Sequence, residues 1–205
     1  MKVILVNGSP HKNGCTNRAL EEIQMQLVKE GVDSEIFWIG TSVQGCIGCF
    51  RCGQTGKCVF DDKVGEFLNL AKSADAFVFG SAVYYGSATG SITSFMDRVF
   101  FSGTGYMEDK PVASVVSCRR GGASEAFAQL NMYYMMNNMP VVSSQYWNQV
   151  HGFTPEDVEQ DAEGLQTMRT LAINMAWLLK GIEAGREKGL ARPKRETWVA
   201  TNFIR

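Results

Sequence analysis

Short apolar runs rich in β-branched residues alternate along the chain with longer segments in which apolar positions recur every three or four residues. The runs at Val3 to Val6, Asp33 to Ile39, Ala76 to Gly80, Val112 to Ser117 and Val141 to Ser144 read as strands. Between and after them lie helical stripes. One is formed by Leu20, Ile23 and Leu27, a second by Ile92, Phe95, Met96, Val99 and Phe100, and a third by Leu165, Met168, Ala172, Met175, Leu179 and Ile182. Such alternation predicts five β/α units: an α/β fold whose parallel sheet is doubly wound, with helices on both faces. No repeat, low-complexity tract or Pro/Gly/Ser linker breaks the pattern, so one domain over residues 1–188 is expected. The tail 189–205, with Trp198, Phe203 and Ile204 among basic residues, is expected to dock on this subunit or a neighbour. Two connections are longer than the fold needs, residues 45–60 and the stretch from Ser144 to Thr154, and long loops in compact α/β domains tend to be functional.

With 205 residues and 45% hydrophobic content the chain can bury a full core. Its net charge of −1, with Lys and Arg dispersed, excludes a nucleic-acid partner as the reading of choice. No apolar run approaches the ~20 residues of a membrane span, and "MKVILVNG" is too short for a signal peptide, so no membrane partner and a cytoplasmic location are expected. Cysteine changes the picture. Of six in the chain, four fall within residues 45–60, "GCIGCFRCGQTGKCVF", and in a reducing compartment such a cluster points to a metal or redox site.

In an open parallel sheet ligands bind beyond the carboxyl ends of the strands. The loop after the first strand, "GSPHKNGCTN", is rich in glycine, hydroxyl and amide groups at a helix start, which suits a phosphate or, more blandly, a well-capped helix. It is neither a Walker motif nor G-x-G-x-x-G. In "SAVYYGSATGSITSFMDR", Tyr84, Tyr85 and Gly86 offer backbone and aromatic surface to a flat ring, or else form a tyrosine corner packed under its own loop. In "SCRRGGASEA", Arg119 and Arg120 either stabilise negative charge on a ring edge or simply face solvent.

Together these three segments resemble the NADPH-dependent FMN reductase branch of the flavodoxin-like proteins, over residues 1 to about 185. The resemblance implies a five-stranded sheet of order 2-1-3-4-5 carrying the cysteine loop as an insertion, and FMN as cofactor. It places Ser9, His11, Lys12, Gly14, Cys15, Thr16 and Asn17 at the FMN phosphate. Val83, Tyr84, Tyr85, Gly86 and Ser87 would line the isoalloxazine, with Ser117, Cys118, Arg119, Arg120, Gly121 and Gly122 at its pyrimidine edge. Ala82 stands where this family often has proline, and His11 where arginine is common.

Cys46, Cys49, Cys52 and Cys58 follow a C-x2-C-x2-C-x5-C spacing. Three thiolates at intervals of three suit a loop wrapped around a corner of a cuboidal cluster, whereas zinc more often takes two separated C-x2-C knuckles. The run also departs from the bacterial ferredoxin pattern and can ligate one cluster only. Arg51 and Lys57 inside the loop either offset its charge or face solvent. With the following Asp61 and Asp62, expected to cap the next helix, the loop narrows the resemblance to the iron-sulfur flavoproteins. That implies a [4Fe-4S] cluster near a dimer interface, a homodimer or dimer of dimers, and a ferredoxin-type partner or NAD(P)H as electron donor. A cluster-free or zinc-bound loop is the alternative.

The expected function is that of an FMN-dependent oxidoreductase in which the flavin carries the chemistry and no side chain is assigned as catalytic. Arg119 or Arg120 would stabilise the anionic reduced flavin. The rivals are a non-catalytic electron carrier and a cluster-free NAD(P)H-dependent FMN or quinone reductase. Cys15 and Cys118 read as small buried residues. His151, with Tyr146 and Trp147, either closes over the flavin or packs a subunit contact, and "LNMYYMMNNM" reads as a buried or dimer-facing helix.

Overall fold

The computed structural model describes residues 1–201 and 203. Strand β1 (Lys2–Asn7) leads into α1 (Cys15–Lys29), β2 (Asp33–Trp38), a short α2 (Arg51–Thr55) within the cysteine loop, and α3 (Lys63–Ala71). Next come β3 (Ala76–Tyr84), β4 (Ser87–Ala88), α4 (Gly90–Gly103), β5 (Val112–Cys118), α5 (Ala123–Met136), β6 (Gln149–His151), α6 (Pro155–Val158) and the long α7 (Ala162–Glu187). The parallel strands lie in the order β2-β1-β3-β5-β6, and β4 pairs antiparallel with the end of β3. Leaving out that small ribbon, this is the expected 2-1-3-4-5 sheet.

The centre of the sheet shows why these runs become strands. Val3, Ile4, Leu5 and Val6 are fully buried on both faces, as a central parallel strand requires. One face packs an aromatic core of Phe67, Phe77, Phe79, Phe95, Phe100 and Tyr134 under α3, α4 and α5. The other packs an aliphatic core of Leu5, Leu20, Ile23, Val115, Met168 and Met175 under α1 and α7. A half-buried ion cluster clasps these two helices, with Glu22 of α1 accepting from Arg18, at 2.8 Å, and from Arg169 of α7.

The fifth strand differs from the expected Val141 to Ser144. Val141 makes only an isolated bridge to Val112, and the strand proper is Gln149–His151, inside the stretch expected to be loop. The edge strand is split. Val142 N–H donates to Val112 O at 2.8 Å, residues 143–147 bulge away, and the chain rejoins β5 where Val116 N–H donates to Asn148 O at 2.9 Å. Buried Asn148 spans the gap: its Nδ2 donates to Ser114 O at 3.0 Å and its Oδ1 accepts from Ser144 Oγ at 2.7 Å. A side-chain amide thus replaces the missing ladder bond.

Beyond α7 the tail returns to the domain through Arg195, which pairs with Glu108 and Asp109. Trp198, Val199 and Phe203 stay exposed. Asn202, Ile204 and Arg205 lie outside the described residues. No helix among the described residues is long and apolar enough to cross a membrane.

Candidate functional site

Three loops converge at the carboxyl edge of the sheet. Asn7, fully buried at the end of β1, organises the first: its Nδ2 donates to Lys12 O at 2.9 Å and Asn17 Oδ1 at 3.2 Å, and its Oδ1 accepts from Ser9 N–H at 3.0 Å. Ser9 Oγ accepts from His11 N–H at 3.2 Å, and Trp38 Nε1 donates to Ser9 O at 2.9 Å. Thr89, the N-cap of α4, donates to Gly8 O at 2.9 Å and ties the loop to that helix. Helix α1 starts on Gly14 with no side-chain cap, so its first-turn N–H groups form an anion site at the positive end of the helix dipole. His11 and Lys12 are exposed beside it, with Lys12 Nζ 5.9 Å from the Trp38 ring centroid. Thr16 points elsewhere. Its side chain is buried and shares a hydrogen bond of 2.8 Å with Ser117 Oγ, so only its backbone faces the cradle.

The second loop turns through Tyr85 and Gly86, both left-handed at φ 51° and 78°, the geometry of a tight hairpin turn. Tyr85 is fully exposed and Tyr84 about half so. The packed-corner reading of Tyr85 therefore fails, and a flat aromatic surface is left open at the site. Ser87 Oγ and Ala88 N–H both bond Gln129 Oε1 of α5, at 2.8 and 3.1 Å. The third loop abuts the second at Gly122, where an added Cβ would lie 2.7 Å from Gly86 Cα and 3.0 Å from a Val83 methyl. Arg119, Arg120 and Gly121 are exposed above Ser117 and Cys118, which are buried. An uncapped helix terminus, an open aromatic wall and a glycine-rich edge with two arginines fit a phosphorylated flat ring such as FMN.

Burial pushes the thiol pKa values of Cys15 and Cys118 up, against any thiolate role. Cys15 Sγ donates weakly to Gly152 O at 3.6 Å. His151 ends β6 with its Nδ1 3.4 Å from Asp161 Oδ2. Tyr146 and Trp147 pack with tilted rings, centroids 5.0 Å apart, on the bulge of the split strand, and both are about half exposed.

The cysteine loop joins β2 to α3 and lies against Arg98, Phe101 and Ser102 of α4. Left-handed Phe50 and Gly56 bracket α2 and bend the chain back on itself. Cys46, Cys49, Cys52 and Cys58 all line one small cavity, walled by Phe50 and Phe101 and floored by Arg98. The thiols surround this space rather than meeting at a point: among the described residues no three His, Cys, Asp or Glu side chains are arranged to hold a single metal ion. Arg51 and Lys57 are exposed.

Arg98 was not singled out by the sequence reading. Its Nε donates to Cys58 Sγ at 3.3 Å, its Nη1 to Gln44 O at 3.1 Å and Asp62 Oδ2 at 2.6 Å, and its Nη2 to Asp62 Oδ1 at 2.8 Å. Burial opposes its charge, but the bonds it donates to Asp62 and Cys58 outweigh this and raise its pKa above the ordinary arginine value. Asp62 also caps α3, accepting from Val64 N–H at 3.1 Å, as expected. The available signal was an arginine three residues after Phe95 in an otherwise inward-facing apolar stripe.

The family described as NADPH-dependent FMN reductase matches residues 1–154. An iron-sulfur flavoprotein of Methanocaldococcus jannaschii is 31% identical over 192 residues, covering 89% of this chain and 100% of the relative. One from Archaeoglobus fulgidus is 31% identical over 183 residues, covering 86% and 90%. Among solved structures, a flavodoxin from the domain Archaea superposes with a TM-score of 0.60 at 20% identity, covering 88% of this chain and 99% of that one.

Proposed function

The chain belongs to the NADPH-dependent FMN reductase family and is a flavin-dependent oxidoreductase using FMN; from that premise we propose that it exchanges electrons between FMN and a [4Fe-4S] cluster held by Cys46, Cys49, Cys52 and Cys58. When bound there, FMN would supply hydride and one-electron chemistry. In this reading the first-turn N–H groups of α1 and the Ser9 loop grip the phosphate. Tyr84, Tyr85 and Gly86 present a flat wall to the ring. The 117–122 loop, with Arg119 and Arg120, offsets negative charge on the ring edge.

The observation that carries the cluster reading is that four thiols 45 to 60 residues into the chain line one cavity, beside a buried arginine, in a protein whose relatives of matching length are named iron-sulfur flavoproteins. Protein purified without air should contain about four iron and four acid-labile sulfide per chain. Cys49→Ser should remove most of that iron and leave FMN bound, because the flavin loops come from other segments. One equivalent of zinc without sulfide would overturn the cluster. The same reading has the chain acting as a homodimer or dimer of dimers, with NAD(P)H or a ferredoxin-type protein as donor. Exposed Met132, Met135 and Met136 on α5 support self-association.

A further inference from the structure

We propose that Arg98 is a positioning residue that latches the cysteine loop onto α4 before any cluster is present and, through its N–H to Cys58, makes that cluster easier to reduce. The inference rests on the reading that the four thiols hold a [4Fe-4S] cluster.

Among the described residues Arg98 is the most deeply buried charged side chain, at 2% exposure. A guanidinium so placed carries a heavy desolvation penalty and persists only where its donors are matched. Its partners bracket the loop. Gln44 O precedes the first cysteine, Cys58 is the last, and Asp62 follows it and takes a bidentate pair. Phe60 lies under the guanidinium with its centroid 4.9 Å away. One side chain thereby gathers both ends of a segment that otherwise has little purchase: between residues 45 and 60 only Cys58 packs against the core. The helix that carries Arg98 begins at Thr89, whose hydroxyl holds Gly8 of the phosphate loop. A single rigid element therefore supports both ligand-bearing loops.

The electrostatic part follows from the atoms involved. Reduction adds one electron and one negative charge to the cluster, and a hydrogen bond to a ligating sulfur stabilises the more negative state. Asp62 acts in the opposite sense, because its carboxylate neutralises the guanidinium and adds negative charge nearby. Removing the arginine and neutralising the aspartate should therefore move the potential in opposite directions. A purely structural ion pair would not do this: losing either partner would loosen the same loop.

The test uses the full chain, purified without air, with iron and sulfide measured before each redox titration. Arg98→Met should shift the cluster potential negative by an amount equal to about tenfold in its one-electron equilibrium, about 59 mV. Asp62→Asn, which keeps a cap for α3 and one acceptor for Arg98, should shift it positive. Arg98→Lys keeps the charge without the fork and should fall between wild type and Arg98→Met. If Arg98→Met retains no iron, the lysine and asparagine variants decide the question. In iron-free protein, Arg98→Met should speed amide exchange over residues 44–62 and leave residues 8–17 unchanged. Shifts of the same sign, or none in variants that keep their iron, would overturn the tuning. Unchanged exchange over 44–62 would overturn the latch. Wild-type protein without iron and sulfide would defeat the cluster reading and this inference together, whereas a wild-type cluster indifferent to all three substitutions defeats this inference alone.

Discussion

Gly122 occupies a position that no side chain can share. Its φ of 88° lies in the left-handed region, and its Cα faces Gly86 so closely that a Cβ would stand 2.7 Å from that residue's Cα. Both atoms belong to loops assigned to the flavin ring, so the contact sets the spacing between them. Gly122→Ala should cost roughly 1–3 kcal/mol of stability and weaken FMN binding by about tenfold or more as the two loops are pushed apart. Fluorescence titration with FMN measures the second effect, and unchanged affinity would detach Gly122 from the site. At this scale the sequence was informative about residue type and blind to direction. The glycines, tyrosines and cysteines stood out because their chemistry is unusual wherever they point. Thr16 did not declare that its hydroxyl turns inward to Ser117, and Arg98 did not stand out, because both facts depend on which residue arrives from a distant segment.

At the scale of elements, helices were legible because their burial is periodic and central strands because their short runs are apolar throughout, while the edge strand was not. A four-residue apolar run at Val141 to Ser144 reads as a strand in isolation, but the ladder to β5 is broken into two pieces and mended by Asn148, a residue with low strand preference. The packing of α1 on α7 offers a test of its own. Burial works to raise the pKa of Glu22, but hydrogen bonds from Arg18 and Arg169 prevail and hold it below the ordinary carboxylate range. A carboxylate whose folded pKa is depressed contributes stability that is present above its unfolded pKa and is lost as pH falls through the folded value. Glu22→Gln should therefore cost about 1–3 kcal/mol at neutral pH. The gap between the variant and wild type should close as pH drops below about 4.3, the unperturbed glutamate value. Urea unfolding from pH 7 to pH 3 reads both, and a gap independent of pH would mean that the charge of Glu22 does not support the clasp.

For the whole molecule, the α5 surface is the most informative. Leu130 and Tyr134 face the core, while Met132, Met135 and Met136 are exposed at helical spacing, which matches the sequence expectation of a helix apolar on most sides. Sedimentation of the FMN-loaded protein should show a dimer or larger, and Met132→Glu with Met136→Glu should shift it toward monomer; a monomeric wild type at micromolar concentration would remove α5 as an interface. The cysteine loop has the reverse relation to its surroundings. None of residues 45–60 is fully buried, and the segment is fastened to the domain chiefly at its ends. Because lengthening a surface connection costs little chain entropy, the sheet bears this insert almost without adjustment. On the proposed cluster reading the insert should be portable: grafting residues 44–62 after the second strand of another sheet of this architecture should require one further residue, an arginine in the register of Arg98 on the helix that follows the third.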